Sequence, residues 1–388
     1  MNRILPVLGL AVLLSACPEK KAEPPPKPVE PAKPTPPPQP PAEAQPRADK
    51  ECAAPLDPGP TTDLTIGTRA AKASGSRLTF ADKDADGALT LGVLGPMNED
   101  SGENMLALKK YLKFFADEKV DAIVLPGDVG EVADGIARVL KAAATESKVP
   151  VFVLIGNSEC RAEYTDGVDA AKKDAPNIVN LNAYRVVEFP EATLVSLPGY
   201  HDPNFMRCQT GCRYFKSTID EVVQASKASK APVVLIAHGP PHGTGNAALD
   251  FSSAGDINAG DAEVNRAIKE GNIPFGVFSN IKESGGRATA EAEATTQIKE
   301  GAMSKTLFLA AGPADTMKWS MNDGTTSFGM AQIISVKDGQ ASFKVLRNKQ
   351  MTAAEKAEAA KLAPPKRDEP APEVAQPEKA PEKAPEKK

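Results

Sequence analysis

The chain has 388 residues and a formal charge of −5, with 46 Lys and Arg against 51 Asp and Glu. This mildly acidic balance, without a basic stripe that carries interleaved aromatic residues, argues against nucleic acid as a partner. The length allows one large domain or two ordinary ones. The 36 prolines are unevenly placed and crowd towards the two ends, so we expect a folded centre between two unfolded segments.

The first residues predict export and a lipid anchor. Arg3 precedes an apolar run over residues 4–14 that is too short to span a membrane as a stable helix. The run ends in the sequence LSAC, which resembles the lipobox of bacterial lipoproteins. That resemblance implies that the signal is cut before Cys17 and that Cys17 then carries lipid. The alternative is an ordinary signal peptide with an incidental cysteine.

The residue after this cysteine bears on location. Pro18 is not the Asp that often retains lipoproteins at the inner membrane of Gram-negative bacteria. The expected location is therefore the cell envelope, with the chain lipid-anchored in the outer membrane and facing the periplasm or the surface. The membrane, reached through Cys17, is the first predicted partner.

Composition divides the chain into four parts. Residues 1–16 are the predicted signal peptide. Residues 17–60 are a proline-rich tether with almost no apolar side chains to bury, so we predict that it is disordered. Residues 61–350 form the predicted folded domain. Residues 351–388 are a predicted disordered, charged and proline-rich tail, which begins with a short helix over MTAAEKAEAAKLA.

Four further cysteines predict two disulfides, because an even number in an exported chain favours pairing. They are Cys52, Cys160, Cys208 and Cys212. Three connectivities are open. Cys208 and Cys212 are close in sequence, and pairing them would leave Cys52 to pair with Cys160 beside the GNSEC loop. A metal pair at Cys208 and Cys212 is the alternative.

Short apolar runs predict five buried strands. They cover residues 88–95, 121–128, 149–157, 193–199 and 231–238. Amphipathic segments at residues 103–119, 131–147 and 217–229 predict helices between them. The alternation predicts an α/β domain with a largely parallel sheet covered on both faces. Ligands of such sheets bind at the carboxyl ends of the strands, where Asp128, Asn157 and His238 stand.

Three sequences at these strand ends carry a resemblance. They are PGDVGE, IGNSE and IAHGPP, and they resemble three of the five signature blocks of the calcineurin-like metallophosphoesterases. Order and spacing agree over residues 89–345, which close on a predicted hairpin through Asp338-Gly339. The resemblance implies a four-layer α/β/β/α sandwich. It also implies two metal ions, bridged by Asp128, that activate a water against a phosphoester.

The chain departs from the family pattern at most of the other positions. The family's blocks contain five histidines, four of them ligands, and this chain has only His201, His238 and His242. Pro96 and Asn98 stand where the first block has Asp-x-His. Ser158 replaces the third-block His, and Ser279-Asn280-Ile281-Lys282 is the best match to the fifth block. A complete dinuclear site is therefore excluded.

The matching residues leave a residual set for one divalent ion, which would be Mn, Fe or Zn. The set is Asp128, Asn157 and His238, with Asn280 as a fourth member. The fifth-block match also places the Lys282 ammonium where the second metal of the family would lie, so that it would neutralise Asp128 without metal. The candidate catalytic groups of an active enzyme are His238, His242 and His201.

Each site residue also has an ordinary structural interpretation. Asp128 could cap the following helix, Asn157 could hold a left-handed turn, and His238 could be a buried, hydrogen-bonded histidine. Taken together, we interpret them as an inherited site that has lost its chemistry.

The sequence thus predicts a cell-envelope lipoprotein with a non-catalytic binding or scaffold role. Its partner would be an unidentified protein or a small phosphorylated ligand. The alternatives are a diverged one-metal phosphoester hydrolase and a structural protein of the cell wall.

Overall fold

The computed structural model describes residues 46–365, except residues 84 and 294–295. The predicted signal peptide, Cys17 and most of the tether and tail lie outside the described residues. Among the helices of the described ranges, none is long and apolar enough to cross a membrane.

Twenty strands are present in the described ranges. In chain order they are β1 (Thr61–Ile66), β2 (Arg69–Ser74), β3 (Arg77–Phe80), β4 (Ala88–Val93), β5 (Ala122–Leu125), β6 (Val151–Val153), β7 (Ile178–Asn180), β8 (Val186–Glu188), β9 (Thr193–Leu197), β10 (Val233–Ala237), β11 (Phe251–Ser252), β12 (Ile257–Asn258), β13 (Phe275–Phe278), β14 (Arg287–Thr289), β15 (Gln297–Ile298), β16 (Leu307–Ala310), β17 (Trp319–Ser320), β18 (Thr326–Ser327), β19 (Met330–Lys337) and β20 (Gln340–Arg347).

Six α-helices connect them within the same ranges. They are α1 (Gly102–Asp117), α2 (Ala133–Ser147), α3 (Arg161–Asp174), α4 (Lys216–Ala228), α5 (Ala262–Glu270) and α6 (Ala353–Ala360). Two single 3₁₀ turns cover Pro203–Phe205 and Lys282–Ser284. The predicted strands and the three predicted helices are all present.

The strands form two large sheets and two small ribbons. The six-stranded sheet has the order β20-β19-β4-β5-β6-β7, and the ten-stranded sheet has the order β1-β2-β3-β8-β9-β10-β13-β16-β14-β15. Strands β4 to β7 are parallel in the first sheet, and β9, β10, β13 and β16 are parallel in the second. The predicted hairpin joins β19 to β20 through Asp338-Gly339.

Two sheets replace the single sheet that the strand and helix alternation predicted. One apolar core lies between the sheets and includes Leu91 and Phe152 from one and Ile236 and Phe275 from the other. A second core packs α1, α2 and α3 on the outer face of the six-stranded sheet, and a third packs α4 and α5 on the ten-stranded sheet. The layers are therefore α/β/β/α, as the resemblance implied.

Helix α1 shows how sequence sets this packing. The Ser101 hydroxyl accepts a hydrogen bond from the Asn104 N–H at 3.3 Å and caps the helix. Leu108, Leu112 and Phe115 recur at helical spacing and are buried against the sheet. Gly92 on β4 faces the Phe115 ring, and a Cβ there would lie 2.9 Å from it, so the small residue permits close packing.

Two disulfides are present, but the pairing expected from sequence proximity is wrong. Cys52 is bonded to Cys212, and Cys160 is bonded to Cys208. Cys208 and Cys212 share one loop, yet Cys212 is buried within the domain core and meets the incoming chain at Cys52. Cys208 instead faces the start of α3, where Cys160 precedes Arg161. The metal-pair alternative is excluded because both cysteines are in disulfides.

The segments on both sides of the predicted domain pack against it. Residues 46–60 belong to the predicted tether, but Cys52 is buried and the Ala54 N–H donates to the Asn182 carbonyl at 2.9 Å. The predicted disorder therefore does not extend to Cys52. The short helix expected after residue 351 is α6, whose Glu355 accepts from Lys110 of α1 at 2.6 Å.

Candidate functional site

Asp128, Asn157 and His238 meet at the carboxyl ends of β5, β6 and β10, and we call these three residues the Asp128 cluster. His238 Nε2 lies 2.9 Å from Asn157 Oδ1 and 3.4 Å from Asp128 Oδ1. All three side chains are buried. The prediction that separate strands bring these side chains to one point is confirmed.

Two glycines let the loops of the cluster approach each other. A Cβ on Gly127 would overlap the His238 ring, and a Cβ on Gly156 would overlap the Asp128 carboxylate. Asp128 itself has a φ of 57°, a left-handed conformation that its short polar side chain tolerates. Its carbonyl accepts hydrogen bonds from the N–H groups of Met97 and Asn98, both at 2.9 Å.

These contacts decide between the structural interpretations of the three residues. Asp128 does not cap α2, whose N-cap is Val132, and its Oδ1 accepts from the Ser158 N–H at 3.1 Å. Asn157 is absent from the left-handed residues of the described chain, so that interpretation of it is wrong. His238 is indeed buried, and both of its ring nitrogens lie within hydrogen-bonding distance of polar atoms.

The hydrogen bonds of His238 orient its ring. Nδ1 lies 2.9 Å from the Pro126 carbonyl oxygen and 3.0 Å from Ser279 Oγ. The Asn157 amide donates its N–H to the Phe205 carbonyl at 2.6 Å, so its Oδ1 must face Nε2. If the ring proton is on Nδ1, the Nε2 lone pair faces the Asn157 and Asp128 oxygens. If the proton is on Nε2, the ring donates a hydrogen bond to Asn157 Oδ1.

The other side of Asp128 is occupied by an ammonium. Lys282 Nζ lies 3.7 Å from Asp128 Oδ2, and 5.4 Å from the centre of the Trp319 ring. The Lys282 side chain is 7% exposed. The cation that the fifth-block match predicted against Asp128 is therefore present, and it also rests on an aromatic face.

The charges set the pKa values of the cluster. Burial would raise the pKa of Asp128, but the charges of His238 and Lys282 and the Ser158 hydrogen bond outweigh it, so the pKa is lowered. Burial lowers the pKa of His238, although the Asp128 carboxylate opposes this. At neutral pH Asp128 is thus a carboxylate, and its Oδ2 faces the Lys282 side chain.

Glu159 is a residue whose role we did not anticipate, although it ends the IGNSE sequence. Its Oε1 accepts from the Val129 N–H at 2.6 Å and its Oε2 from the Gly156 N–H at 2.9 Å, so it joins the loops after β5 and β6. Burial, reinforced by the nearby Asp128 charge, raises the pKa of Glu159 to about 8. A fully buried acid with two backbone donors serves to position the Asp128 loop.

The family resemblance implies two metal ions. The residues on the Lys282 side and on the His238 side of Asp128 differ in how well they would fit one. On the Lys282 side, the Pro96 side chain has no ligand atom and the Asn98 amide donates to Asp315. A metal there would be repelled by the ammonium, so a dinuclear centre does not fit. No group of three or more His, Cys, Asp or Glu residues suited to a metal occurs within the described ranges.

On the His238 side, the spacing fits one ion. His238 Nε2 lies 2.9 Å from Asn157 Oδ1 and 3.4 Å from Asp128 Oδ1, close enough for shared ligation of one ion, and Nδ1 faces a backbone carbonyl as in most metal-bound histidines. These three atoms would hold one divalent Mn, Fe or Zn. The expected fourth member, Asn280, donates its amide to the Tyr200 hydroxyl at 3.0 Å.

The two other histidines are apart from this cluster. His242 is half-exposed, and its Nδ1 lies 3.4 Å from Asp250 Oδ2. The His201 ring lies 4.7 Å from the Tyr200 ring, and burial lowers the pKa of His201. No contact of either histidine with Asp128 occurs among the described residues, so the geometry does not bring them in as replacement groups.

A loop that we call the strap, residues 200–212, closes over Asn157. The Phe205 carbonyl accepts from the Asn157 amide, and the Arg207 N–H donates to the Asn157 carbonyl at 3.0 Å. The Cys160–Cys208 disulfide fastens the strap to the residues just after Asn157. The strap therefore holds Asn157 in place on the His238 side of Asp128.

A cleft of about 290 Å³ opens beside the Lys282 ammonium. Its lining includes Asn98, Glu99, Arg207, Lys282, Asp315 and Trp319. The Trp319 Nε1–H donates to Asp315 Oδ1 at 2.9 Å, which holds the indole beside the ammonium. This volume lies at the small end of the range for ligand sites.

Comparison with known proteins yields structural similarities only. No family model matches the chain, and no curated protein matches it. A dimetal phosphatase from Danio rerio is 13% identical, with 68% of this chain and 99% of that chain covered and a TM-score of 0.42. A purple acid phosphatase from yellow lupin seeds is 11% identical, with 78% and 62% covered and a TM-score of 0.41.

GAP50, the anchor in the inner membrane complex of Plasmodium, is 12% identical, with 69% of this chain and 87% of that chain covered and a TM-score of 0.41. At such identities and scores these similarities carry no argument about the function of this chain. The α/β/β/α fold is established by the strands and helices of this chain.

Proposed function

We propose that this chain is a lipid-anchored protein of the cell envelope that uses a degraded metallophosphoesterase-type site for binding and not for hydrolysis. The observation that carries the proposal is the Lys282 ammonium, 3.7 Å from Asp128 Oδ2. Asp128 is the carboxylate that would bridge two metals in the family that the sequence resembles. A carboxylate already neutralised by a buried ammonium is a poor bridging ligand.

The lost groups support the same conclusion. Pro96, Asn98 and Ser158 stand where the family has metal ligands and an acid. Removing one preorganised electrostatic group from an active site typically costs about 10²–10³-fold in rate. Several such losses together would leave phosphoester turnover near background.

The test is hydrolysis of generic phosphomonoesters and phosphodiesters with added Mn, Fe or Zn, together with metal analysis of protein purified without chelator. We expect background turnover from the wild type and the same from Asp128→Asn and His238→Ala. Robust turnover that both substitutions abolish would overturn the non-catalytic assignment.

One observation favours the second candidate, a one-metal phosphoester hydrolase. Asp128 Oδ1, Asn157 Oδ1 and His238 Nε2 have the spacing of a ligand set. An ion there would polarise a phosphoryl oxygen or lower the pKa of a bound water. Stoichiometric metal that is lost in Asn157→Leu, together with turnover, would select this candidate.

The lipid anchor has its own test. Cys17→Ala should move the protein from the membrane fraction to the soluble fraction, because a lipidated cysteine followed by a long tether would be the only attachment proposed. Thr35→Ala, in the predicted tether, serves as the control and should leave fractionation unchanged. Wild-type fractionation of Cys17→Ala would contradict the anchor.

A further inference from the structure

The Lys282 ammonium has an unusual position for a buried cation. The side chain is 7% exposed, and among the described residues no protein group accepts a hydrogen bond from its Nζ, which is not one of their buried unpartnered atoms and so reaches the cleft. Its ion-pair distance of 3.7 Å to Asp128 exceeds hydrogen-bonding range. Three N–H donors thus lie beside the cleft with an opposite charge in contact but without an acceptor.

A second polar atom at the cleft is also unsatisfied. Asn98 Oδ1 is buried without a hydrogen-bond partner among the described residues, while the amide nitrogen of Asn98 donates to Asp315. Buried polar atoms are seldom left unpaired. The cleft therefore presents the Lys282 ammonium as a donor, whereas Asn98 Oδ1 is shielded from solvent.

The charges of the lining restrict what that partner can be. Arg207 lies 4.0 Å from Glu131 and adds a second cation, but Glu99, Glu131 and Asp315 add three carboxylates. A polyanion would be repelled by this surplus of negative charge. A ligand with one anionic group and one ammonium would match both signs.

Resting on the non-catalytic function proposed above, we infer that the cleft is a metal-independent site for a small zwitterion. Its anionic oxygens would accept hydrogen bonds from Lys282, and its ammonium would lie near the exposed Glu99 carboxylate. The anionic group is a carboxylate or a phosphate, as in an amino acid or a lipid headgroup. Lys282 then replaces the metal in binding as well as in charge.

The single tryptophan of the chain makes the test direct, because Trp319 lines this cleft. Its fluorescence is titrated in EDTA with O-phosphoethanolamine and with β-alanine, and with inorganic phosphate, acetate and methylamine as probes of one charge. We expect saturation with at least one zwitterion, at least tenfold tighter than with any probe of one charge. If O-phosphoethanolamine binds more tightly, the anionic group of the ligand is a phosphate. If β-alanine binds more tightly, it is a carboxylate.

Two substitutions assign the contacts. Lys282→Met should weaken zwitterion binding at least tenfold. If this variant does not fold, Glu99→Gln provides the test, because Glu99 is exposed and its loss should weaken zwitterions about threefold or more while leaving inorganic phosphate unchanged or tighter. Glu146→Gln, an exposed glutamate on α2, is the matched control.

The inference is overturned by an absence of saturable binding in EDTA, by binding that appears only with added metal, or by inorganic phosphate or acetate binding as tightly as the zwitterions. Wild-type affinity in Glu99→Gln would also overturn it. These outcomes are independent of the hydrolysis assay, since turnover with metal would refute the non-catalytic function without bearing on binding in EDTA.

Discussion

The two carboxylate oxygens of Asp128 have different surroundings in the folded protein. On the Oδ1 side, His238, Asn157 and the Ser158 N–H keep a ligand-like arrangement, and the strap is fastened over it by a disulfide. On the Oδ2 side, Lys282 and the Trp319 ring fill the position with a cation held only by noncovalent contacts.

Under the function proposed above, the two sides of the site would have lost their metal ligands separately. A carboxylate between them must be neutralised on either side by a metal or by a protein cation, since an isolated buried charge is costly. On that proposal, the ligands on the Lys282 side are no longer required once Lys282 supplies the charge. On the other side, Asn157 and Asp128 also hold loops together, which would favour their retention.

The largest expected effects come from the two disulfides, one of which fastens the strap over the Oδ1 side. Cys160→Ser with Cys208→Ser should lower the free energy of unfolding by about 4 kcal/mol, and Cys52→Ser with Cys212→Ser by about 5 kcal/mol. The order follows from the sequence separations, 48 and 160 residues. Urea unfolding measures both, and NMR of the His238 ring should change in the first variant.

The reverse order of the two disulfide variants would show that strain or residual structure, and not loop length, decides their contributions. Four free thiols in the exported protein would contradict the disulfides themselves.

The next effect is a pH dependence from Glu159. Its pKa is raised to about 8 from 4.5, so its contribution to stability is complete below pH 4.5 and is lost as the pH rises through 8. Between pH 4.5 and pH 8 the free energy of unfolding should fall by up to about 4 kcal/mol. The lowered pKa of Asp128 places its own loss of stability below this window.

Urea unfolding at pH 5, 6.5 and 8 measures the Glu159 effect. Glu159→Gln should flatten the dependence, whereas the exposed control Glu146→Gln should keep it. If the free energy of unfolding depends on pH equally in the wild type and Glu159→Gln, other groups cause the dependence. The Glu159 charge also affects the acid Tyr164.

Lys282→Met should destabilise the protein by about 3 kcal/mol, because the buried Asp128 carboxylate loses a charged partner and keeps only the Oδ1 contacts. Adding Asp128→Asn should recover part of the loss, and the double-mutant cycle measures the coupling. Lys344→Met removes an exposed pair with Glu118 and should cost under about 1 kcal/mol. Additivity of the Lys282 and Asp128 changes would refute the pairing.

The smallest effect concerns the aromatic face. Trp319→Leu should cost about 1 kcal/mol through loss of the contact with the Lys282 ammonium, whereas Trp319→Phe should keep most of it. Thermal unfolding of both variants in the wild-type and Lys282→Met backgrounds is the measurement. A Leu variant as stable as the wild type would leave Lys282 held by Asp128 alone.

Sequence reasoning predicted the site better than it predicted connectivity. Apolar runs ended by Asp128, Asn157 and His238 identified the sheet edge, because strand periodicity is a local signal. The Lys282 contact followed from alignment to a family block, and not from any local pattern.

Disulfide pairing and the role of Glu159 depend on contacts distant along the chain. Cys208 and Cys212 are four residues apart, yet each pairs with a residue brought near only by folding. Likewise, Glu159 accepts from Val129, 30 residues away, and no spacing rule anticipates that contact.

The Cys52–Cys212 bond has a mechanical consequence. Tension applied upstream of Cys52 and resisted at the C-terminal end passes through the two sulfurs, whose sequence separation is 160, so the residues between them are not extended. At about 3.4 Å per residue, on the order of 500 Å of contour length cannot be extended while the bond is intact. Strands β1 to β9 and helices α1 to α3 lie inside this closed loop, so pulling at the ends would extend only the part that begins at α4.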